Sequence, residues 1–272
     1  MNQKIIGKTW YRTLLILSGG DKILKFFFEE RIKRHSDLNY GREIIFSWIE
    51  NYIKVHEKNI TNFKILDIGC GWGQDLTAVS KIYNNVELYG IEVDDEKIAA
   101  CRQKSITIFN IDCEKDRIPV EDNFFDIIII NQVLEHTKEI FFIFSEISRV
   151  LKKQGILIIG VPNLASFHNR ILLLIGYHPT CIELMGSHVR GFTVPSLKNF
   201  ISKENYFIVK EVKGANFYPA PPQLSNILSR FFPKASVSIF LLTERTSKDG
   251  LFIEILEKEN FETIFFRGDK NV

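Results

Sequence analysis

The sequence predicts an α/β fold, a mostly parallel β-sheet with helices on both faces. Three observations predict it. Short apolar runs alternate with amphipathic segments of helical length between about residues 63 and 161. Some of these runs, such as 127–130 (four consecutive isoleucines), have no polar alternation, as expected of parallel strands covered on both faces. The first run passes through Asp67 into a turn with three glycines, Gly69, Gly71 and Gly73, and a helical pattern of Leu76, Val79 and Ile82 follows directly.

The elements follow in order. Residues 1–60 read as a helical cap, in which Ile44, Ile45, Trp48, Ile49, Tyr52 and Ile53 recur at helical spacing and form one apolar face. Strands are expected near 63–68, 86–92, 105–110, 125–131 and 155–161, and helices near 73–83, 94–103 and 138–151. Pro162 and Asn163 end the fifth strand. Residues 164–175 then read as an inserted helix, followed by a loop through Gly176, Pro179 and Gly186. Thr193 is a suitable N-cap for a helix opening at Val194, with Pro195 in its first turn. Segments 206–212 and 237–242 read as an antiparallel pair, with Ala220, Pro221 and Pro222 in a loop between them. Residues 251–266 read as an extra hairpin, 251–256 and 261–266, turning at Lys258, Glu259 and Asn260. The resulting organisation is a cap at 1–60, a main domain at 61–245 and an extension at 246–272.

Composition bounds the function. The chain has 272 residues and is 45% hydrophobic, enough to bury a sizeable core. Its 35 basic and 33 acidic residues leave a net charge of +2, and no basic stripe interleaved with aromatics appears, which argues against a nucleic-acid partner. Cys70, Cys101, Cys113 and Cys181 form no CxxC pair and read as reduced cysteines of a cytoplasmic protein. The apolar runs 14–17 and 26–28 are too short to span a bilayer, and Ser18 to Asp21 breaks the first before it could act as a secretory leader.

The glycine turn carries the chemistry. Glycine is needed where φ is positive or where backbone must lie against a ligand, and the first N–H groups of the following helix are free to meet polar ligand atoms. Glu92 ends the second strand nineteen positions after Gly73, the offset expected of an acid that accepts from both hydroxyls of a ribose. The spacing is G-x-G-x-G with Asp67 two residues ahead, whereas dinucleotide sites favour G-x-G-x-x-G.

The segment from Asp67 to Gly73 resembles motif I of class I S-adenosylmethionine-dependent methyltransferases. Ile111-Asp112-Cys113, the run from Asp122 to Ile130, Val133-Leu134-Glu135-His136 and the stretch 151–157 match further landmarks of that family, so the resemblance covers roughly residues 60–245. It implies a Rossmann-like, mostly parallel seven-stranded sheet, with S-adenosylmethionine as cofactor and S-adenosylhomocysteine as product. Carried over residue by residue, it places Asp67, Gly69, Cys70, Gly71 and Gly73 in the donor loop and Glu92 and Val93 at the ribose. It places Asp112 and Cys113 at the adenine and Asn131 at the end of the fourth strand. Arg42 is suited to the methionine carboxylate and, with Tyr40, to closing the donor pocket.

On the acceptor side, Glu135 and His136 follow the fourth strand. Some ubiquinone-pathway O-methyltransferases carry Glu-x-x-Glu-His here and hold a divalent metal with it; this chain has Gln132 in place of the first Glu, and no metal is assigned. His168, His178 and His188 fall in or next to a segment, about 163–193, that resembles an acceptor-side insertion of surface-glycan-cluster and MetW-like methyltransferases. His136 or His188, with Glu135, is expected to act at the reacting hydroxyl, and Arg190 to pair with a phosphate or carboxylate of the acceptor. The resemblance implies O-methylation of a small polar acceptor, such as a sugar or a surface-polysaccharide precursor. Two alternatives stand beside it: a quinone or small-aromatic O-methyltransferase, and a donor-fold binding protein without turnover.

Overall fold

The computed structural model describes residues 41–258; the expectations for residues 1–40, Tyr40 among them, and for the strand at 261–266 lie outside the described residues. The described chain begins with α1 (Arg42–His56) and continues through β1 (Phe63–Ile68), α2 (Gln74–Ser80), β2 (Val86–Ile91), α3 (Asp95–Arg102), β3 (Thr107–Phe109) and β4 (Phe125–Asn131). Then come α4 (Ile140–Val150), β5 (Leu151–Pro162), α5 (Phe167–Leu174), α6 (Val194–Ile201), β6 (Phe207–Ala215), α7 (Pro222–Phe231), β7 (Ser238–Arg245) and a short α8 (Ile255–Lys258). The seven strands form one sheet in the order β3-β2-β1-β4-β5-β7-β6. Strands β1 to β5 are mutually parallel, and β7 enters antiparallel between β5 and β6.

This order has a functional consequence. The chain winds outward from β1 in both directions, so the turns after β1 and β4 open side by side at the carboxyl edge of the sheet, where a crevice for ligand forms. The apolar runs that looked buried on both faces are so: Ile127, Ile128, Ile129 and Ile130 are all fully buried. Ile128 and Ile130 face a core completed by Phe144 and Ile147 of α4, while Ile127 and Ile129 face a second core completed by Trp48 and Ile49 of α1. The helical face expected in the cap is therefore real and covers one side of the sheet.

Several boundaries differ from expectation for identifiable reasons. β5 starts at Leu151, earlier than expected, because Leu151 pairs with Phe125 before the register shifts and resumes at Ile156. The shift is made at Gln154, which has φ 68°, and at Gly155, where a Cβ would lie 2.9 Å from the Asp126 carbonyl oxygen. The Thr193 cap is present and reciprocal: its hydroxyl accepts from the Ser196 N–H, and the Ser196 hydroxyl accepts from the Thr193 N–H. The prolines read only as a loop open α7, with Pro222 in its first turn, where the missing N–H costs nothing.

The extra hairpin is corrected in its described half. Residues 252–254 form a 3₁₀ turn that runs into α8. Phe252, Ile255 and Leu256 are buried together, a helical spacing that overrides strand propensity. Phe252 packs against Phe144, Phe200 and Phe207, and its N–H donates to the Ser148 hydroxyl. Glu254 accepts from the Leu251 N–H (2.8 Å) and from the Tyr206 hydroxyl (2.8 Å), so the segment is fastened to the main domain.

Phe144 joins these parts, being fully buried with ring contacts to Phe200, Phe207 and Phe252. Replacing it with Ala is expected to destabilise the protein by about 3–5 kcal/mol, the range for emptying a buried aromatic site. A lowered denaturant midpoint with an unchanged slope would confirm the value.

Candidate active site

The three glycines of the turn have different reasons to be glycine. All take positive φ (72°, 54° and 65° at Gly69, Gly71 and Gly73). At Gly69 a Cβ would lie 2.5 Å from Val133, and at Gly73 it would lie 2.6 Å from Ile106 and 2.9 Å from the Cys101 sulfur. These two positions are closed by the protein itself. At Gly71 a Cβ would meet no atom within 4 Å, so its open side is available to a ligand.

The turn is held rigidly. Gly69 and Cys70 donate their N–H groups to the Ile91 carbonyl at 2.9 and 3.1 Å, and Gly71 donates to Glu92 Oε2 at 3.0 Å. Glu92 Oε1 accepts from Val93 N–H (2.9 Å) and Asp94 N–H (3.1 Å). Of roughly four acceptor positions on a carboxylate, these bonds use three. Glu92 thus has one acceptor position left for a hydroxyl, and a second becomes available when a backbone donor is displaced. Val93, beside it, is exposed.

Asp112 lies just past β3. Its carboxylate accepts from the Glu114 N–H at 3.0 Å and pairs with Lys115 at 2.9 Å. Partial burial opposes ionisation, but these partners outweigh it and hold its pKa below the usual carboxylate value. Cys113 is half-buried against the apolar core, and burial pushes its thiol up to about 12, which makes it a packing residue.

A cavity opens on the other side of the turn, lined by Asp67, Gly71, Arg42, Asn131 and Gln132 among others. Arg42 bridges its mouth, Nε donating to Asp75 Oδ1 and Nη2 to Gln74 Oε1, both at 2.6 Å. These two partners in the first turn of α2 were not singled out from sequence, since an Asp and a Gln there look like ordinary helix-start residues. Asp67 is buried, 5% exposed. Burial first, then the Asp75 and Glu92 carboxylates, push its pKa well above the ordinary range, with Arg42 opposing. A buried acid beside an open glycine, surrounded by other carboxylates, fits a ligand that brings a cationic ammonium group, as the methionine end of S-adenosylmethionine does.

The residues expected on the acceptor side lie next along the chain. Gln132 has φ 57°, and its buried side-chain nitrogen makes no hydrogen bond; this is strain and an unsatisfied donor at the rim of the cavity. The 3₁₀ turn Leu134–His136 follows. The Glu135 carbonyl accepts from Val189 N–H (2.8 Å) and Arg190 N–H (3.2 Å), which docks the insertion on this turn. As a result the His136 and His188 rings meet edge to face, with centroids 4.7 Å apart. Glu135 is 1% exposed, and burial raises its pKa to about 7.

The other candidates of the insertion are not at this point. His168 is buried between Ser166 and the Thr180 hydroxyl, where it braces the loop. His178 is exposed. Arg190 donates through Nη2 to the Lys138 carbonyl at 2.8 Å and is partly desolvated, so its first role is to tie the insertion to the start of α4.

Residues 66–159 match the family described as a methyltransferase domain. The chain is 27% identical over 170 residues to a ubiquinone biosynthesis O-methyltransferase of Pelagibacter ubique, an alignment covering 61% of this chain and 70% of that one. It is 28% identical over 164 residues to the protein of that name in Bartonella tribocorum, covering 58% and 65%. Among solved structures, a SAM-dependent methyltransferase from Archaeoglobus fulgidus superposes with a TM-score of 0.51 at 16% identity, over 75% of this chain and 94% of that one, a likeness of fold. Residues 66–159, which hold the glycine turn and the central strands, thus match a methyltransferase domain, and the fold of the chain is that of S-adenosylmethionine-dependent methyltransferases.

The state of Asp67 is testable without any acceptor. A carboxyl whose folded pKa is raised holds its proton more tightly in the folded state. Its stabilising contribution is complete below the unfolded carboxylate value and is lost as pH rises through the higher, folded value. The ligand-free Asp67→Asn variant should therefore gain melting temperature over wild type, and more at about pH 8 than at about pH 5. An equal difference at both values would show that Asp67 is ionised throughout.

Proposed function

We propose that the chain transfers a methyl group from S-adenosylmethionine to a hydroxyl oxygen of a small acceptor. The observation that carries this reading is the convergence of Glu135, His136 and His188 on one point, one turn beyond Gln132 at the rim of the donor cavity. In this reading the open face of Gly71, with Gly69, Cys70 and Gly73 shaping the turn, receives the methionine arm, and Asp67 receives its ammonium group. Arg42 faces its carboxylate, and Asn131 closes the strand-four side. Glu92 and Val93 take the ribose, and Asp112 and Cys113 flank the adenine.

S-adenosylmethionine, when bound, supplies a methyl already activated on a sulfonium. The chain has to align an acceptor oxygen with that methyl, exclude water and take charge of the hydroxyl proton. A cluster of two imidazoles and a carboxylate suits the last task, which an amine or carboxylate acceptor would not require.

Two features support a phenolic acceptor or one with an apolar part. Both relatives named above are called O-methyltransferases of ubiquinone biosynthesis, and the insertion exposes Leu173, Leu174, Leu184 and Met185 near the docked segment. The sugar or surface-polysaccharide reading keeps its place through the insertion's likeness to glycan-cluster enzymes, but the Lys138 carbonyl already engages its anion anchor, Arg190. Four free cysteines support a reducing, cytoplasmic setting. Among the described residues no helix is long and apolar enough to cross a membrane.

Incubation with the donor and a panel of a catechol, a sugar nucleotide, a primary amine and a carboxylic acid, read by mass spectrometry, tests the reading. Methylation of the catechol or the sugar supports transfer to oxygen; methylation confined to the amine or the acid would end that claim. On the accepted substrate, His136→Ala and His188→Ala should each cut turnover by roughly 10²–10⁴ while donor affinity is retained.

Glu92→Ala removes charge-assisted acceptors worth about 1.5–3 kcal/mol each, so donor affinity measured by calorimetry should fall about tenfold or more. Unchanged affinity would remove Glu92 from the ribose site.

A further inference from the structure

We propose that the face formed by the inserted helix α5 and by α7 docks on the surface of an anionic lipid bilayer. The surface is argued from the fold alone; its meaning for an acceptor with an apolar part rests on the transfer reading above.

Helix α7 is amphipathic, but its apolar side points outward. Its buried residues are Ser225 and Ser229, whereas Leu224, Ile227 and Phe231 are 45%, 54% and 71% exposed. These three recur at i, i+3 and i+7, so they share one side of the helix. Hydrogen bonds hold the helix in this orientation. The Ser225 hydroxyl accepts from the Phe217 N–H at 2.6 Å, and the Ser229 hydroxyl donates to the Ser225 carbonyl at 2.7 Å. Rotating the apolar side inward would break the first of these bonds. Phe232, also exposed, extends the apolar side past the end of the helix.

Helix α5 adds to this surface. Its Leu173 and Leu174 are exposed, and its Phe167 ring stacks on Phe217, with centroids 5.7 Å apart. Arg170 of α5 donates through Nη2 to the Lys234 carbonyl at 3.4 Å, in the turn after α7. The topology sets both helices beside the donor cavity. α5 follows the end of β5 at Pro162, and α7 lies between Ala215 and Ser238, which pair with each other while Ser238 also pairs with Pro162. Asn131, in the cavity wall, pairs with Gly160 at the same end of the sheet.

Charge indicates what covers the face. Segments 147–182 and 212–243, which contain both helices, hold no Asp or Glu. Arg170, Arg230 and Lys234 are exposed there, and among the described residues none of the three forms an ion pair with a carboxylate. Apolar side chains flanked by such cations match the boundary of a bilayer with anionic headgroups: the apolar groups enter the acyl layer and the cations meet phosphate. A second copy of the chain fits less well, because a two-fold contact through this face would bring the same cations together with no acid between them.

The test is flotation of the full chain with vesicles of phosphatidylcholine alone or mixed with phosphatidylglycerol. The protein should float with the mixed vesicles at low salt, less at high salt, and far less with phosphatidylcholine alone. The Ile227→Gln/Phe231→Gln double variant and, separately, Arg230→Gln/Lys234→Gln should each weaken vesicle binding at least about tenfold. Ile82→Gln, which changes an exposed apolar residue outside this face, should bind as wild type does. Melting temperature and S-adenosylmethionine affinity should be unchanged in all three, which shows that they are folded. Wild type that binds neither vesicle, binds both equally, or binds no less well in the two double variants would overturn the proposal and leave the transfer reading intact. A wild-type dimer that the Ile227→Gln/Phe231→Gln variant dissociates would assign the face to a second copy. A large loss of melting temperature in that variant would assign it to the chain's own residues outside 41–258. Either result would overturn lipid docking. Absence of donor binding in a wild type that floats would instead strike the transfer reading and not the docking face.

Discussion

The hydrogen bond from the Gly71 N–H to the Glu92 carboxylate is the contact on which the site depends. It joins the turns that follow two adjacent parallel strands, β1 and β2, and it forms only because their register brings Ile68 level with Ile91. The same carboxylate gathers the N–H groups of Val93 and Asp94, so one partly buried acid organises the backbone of both turns. The wall it builds has open space on the ligand side of Gly71 and closed packing behind Gly69 and Gly73. Backbone N–H groups fixed in this way need no reorganisation when a polar ligand arrives, the general advantage of a preorganised site.

The electrostatics of the cavity follow from the same construction. Asp67, Asp75 and Glu92 are brought close to one another, and Arg42 is the cation placed against them. Arg42 comes from the helix whose apolar face covers one side of the sheet, so the cap contributes both to the core and to the mouth of the site. The energetic cost of burying Asp67 falls on the ligand-free protein and is relieved when a positive group enters, a local instability exchanged for affinity.

The acceptor side is built by a different device. Strand β4 ends at Asn131, and the chain turns through Gln132 with positive φ before the 3₁₀ turn. That strained corner brings Glu135 and His136 beside the cavity, and the insertion returns to donate two N–H groups to the Glu135 carbonyl. The residues proposed for donor and acceptor therefore meet at a single sheet edge, although they span the sequence from Arg42 to Arg190.

Much of this was legible in the sequence because it is encoded by local patterns. Uninterrupted isoleucines marked strands covered on both faces, glycines spaced two apart marked a turn of positive φ, and the distance from Gly73 to Glu92 marked one helix and one strand between them. The Thr193 cap was legible for the same reason, since capping is a contact between near neighbours. Three things were decided only in three dimensions. Residues 252–256 coil because Phe252, Ile255 and Leu256 find an aromatic core made by α4, α6 and β6, and strand propensity cannot register that burial. Arg42 is held by Asp75 and Gln74 because α1 lies across the start of α2, a docking that no spacing records. The sequence reading favoured His188 among the insertion's histidines, but that its ring meets His136 while His168 turns into the loop's own hydrogen bonds is a contact no spacing records. Sequence specifies which side chains have the chemistry; which of them share a point in space is fixed by long-range backbone pairing, which depends on the whole sheet.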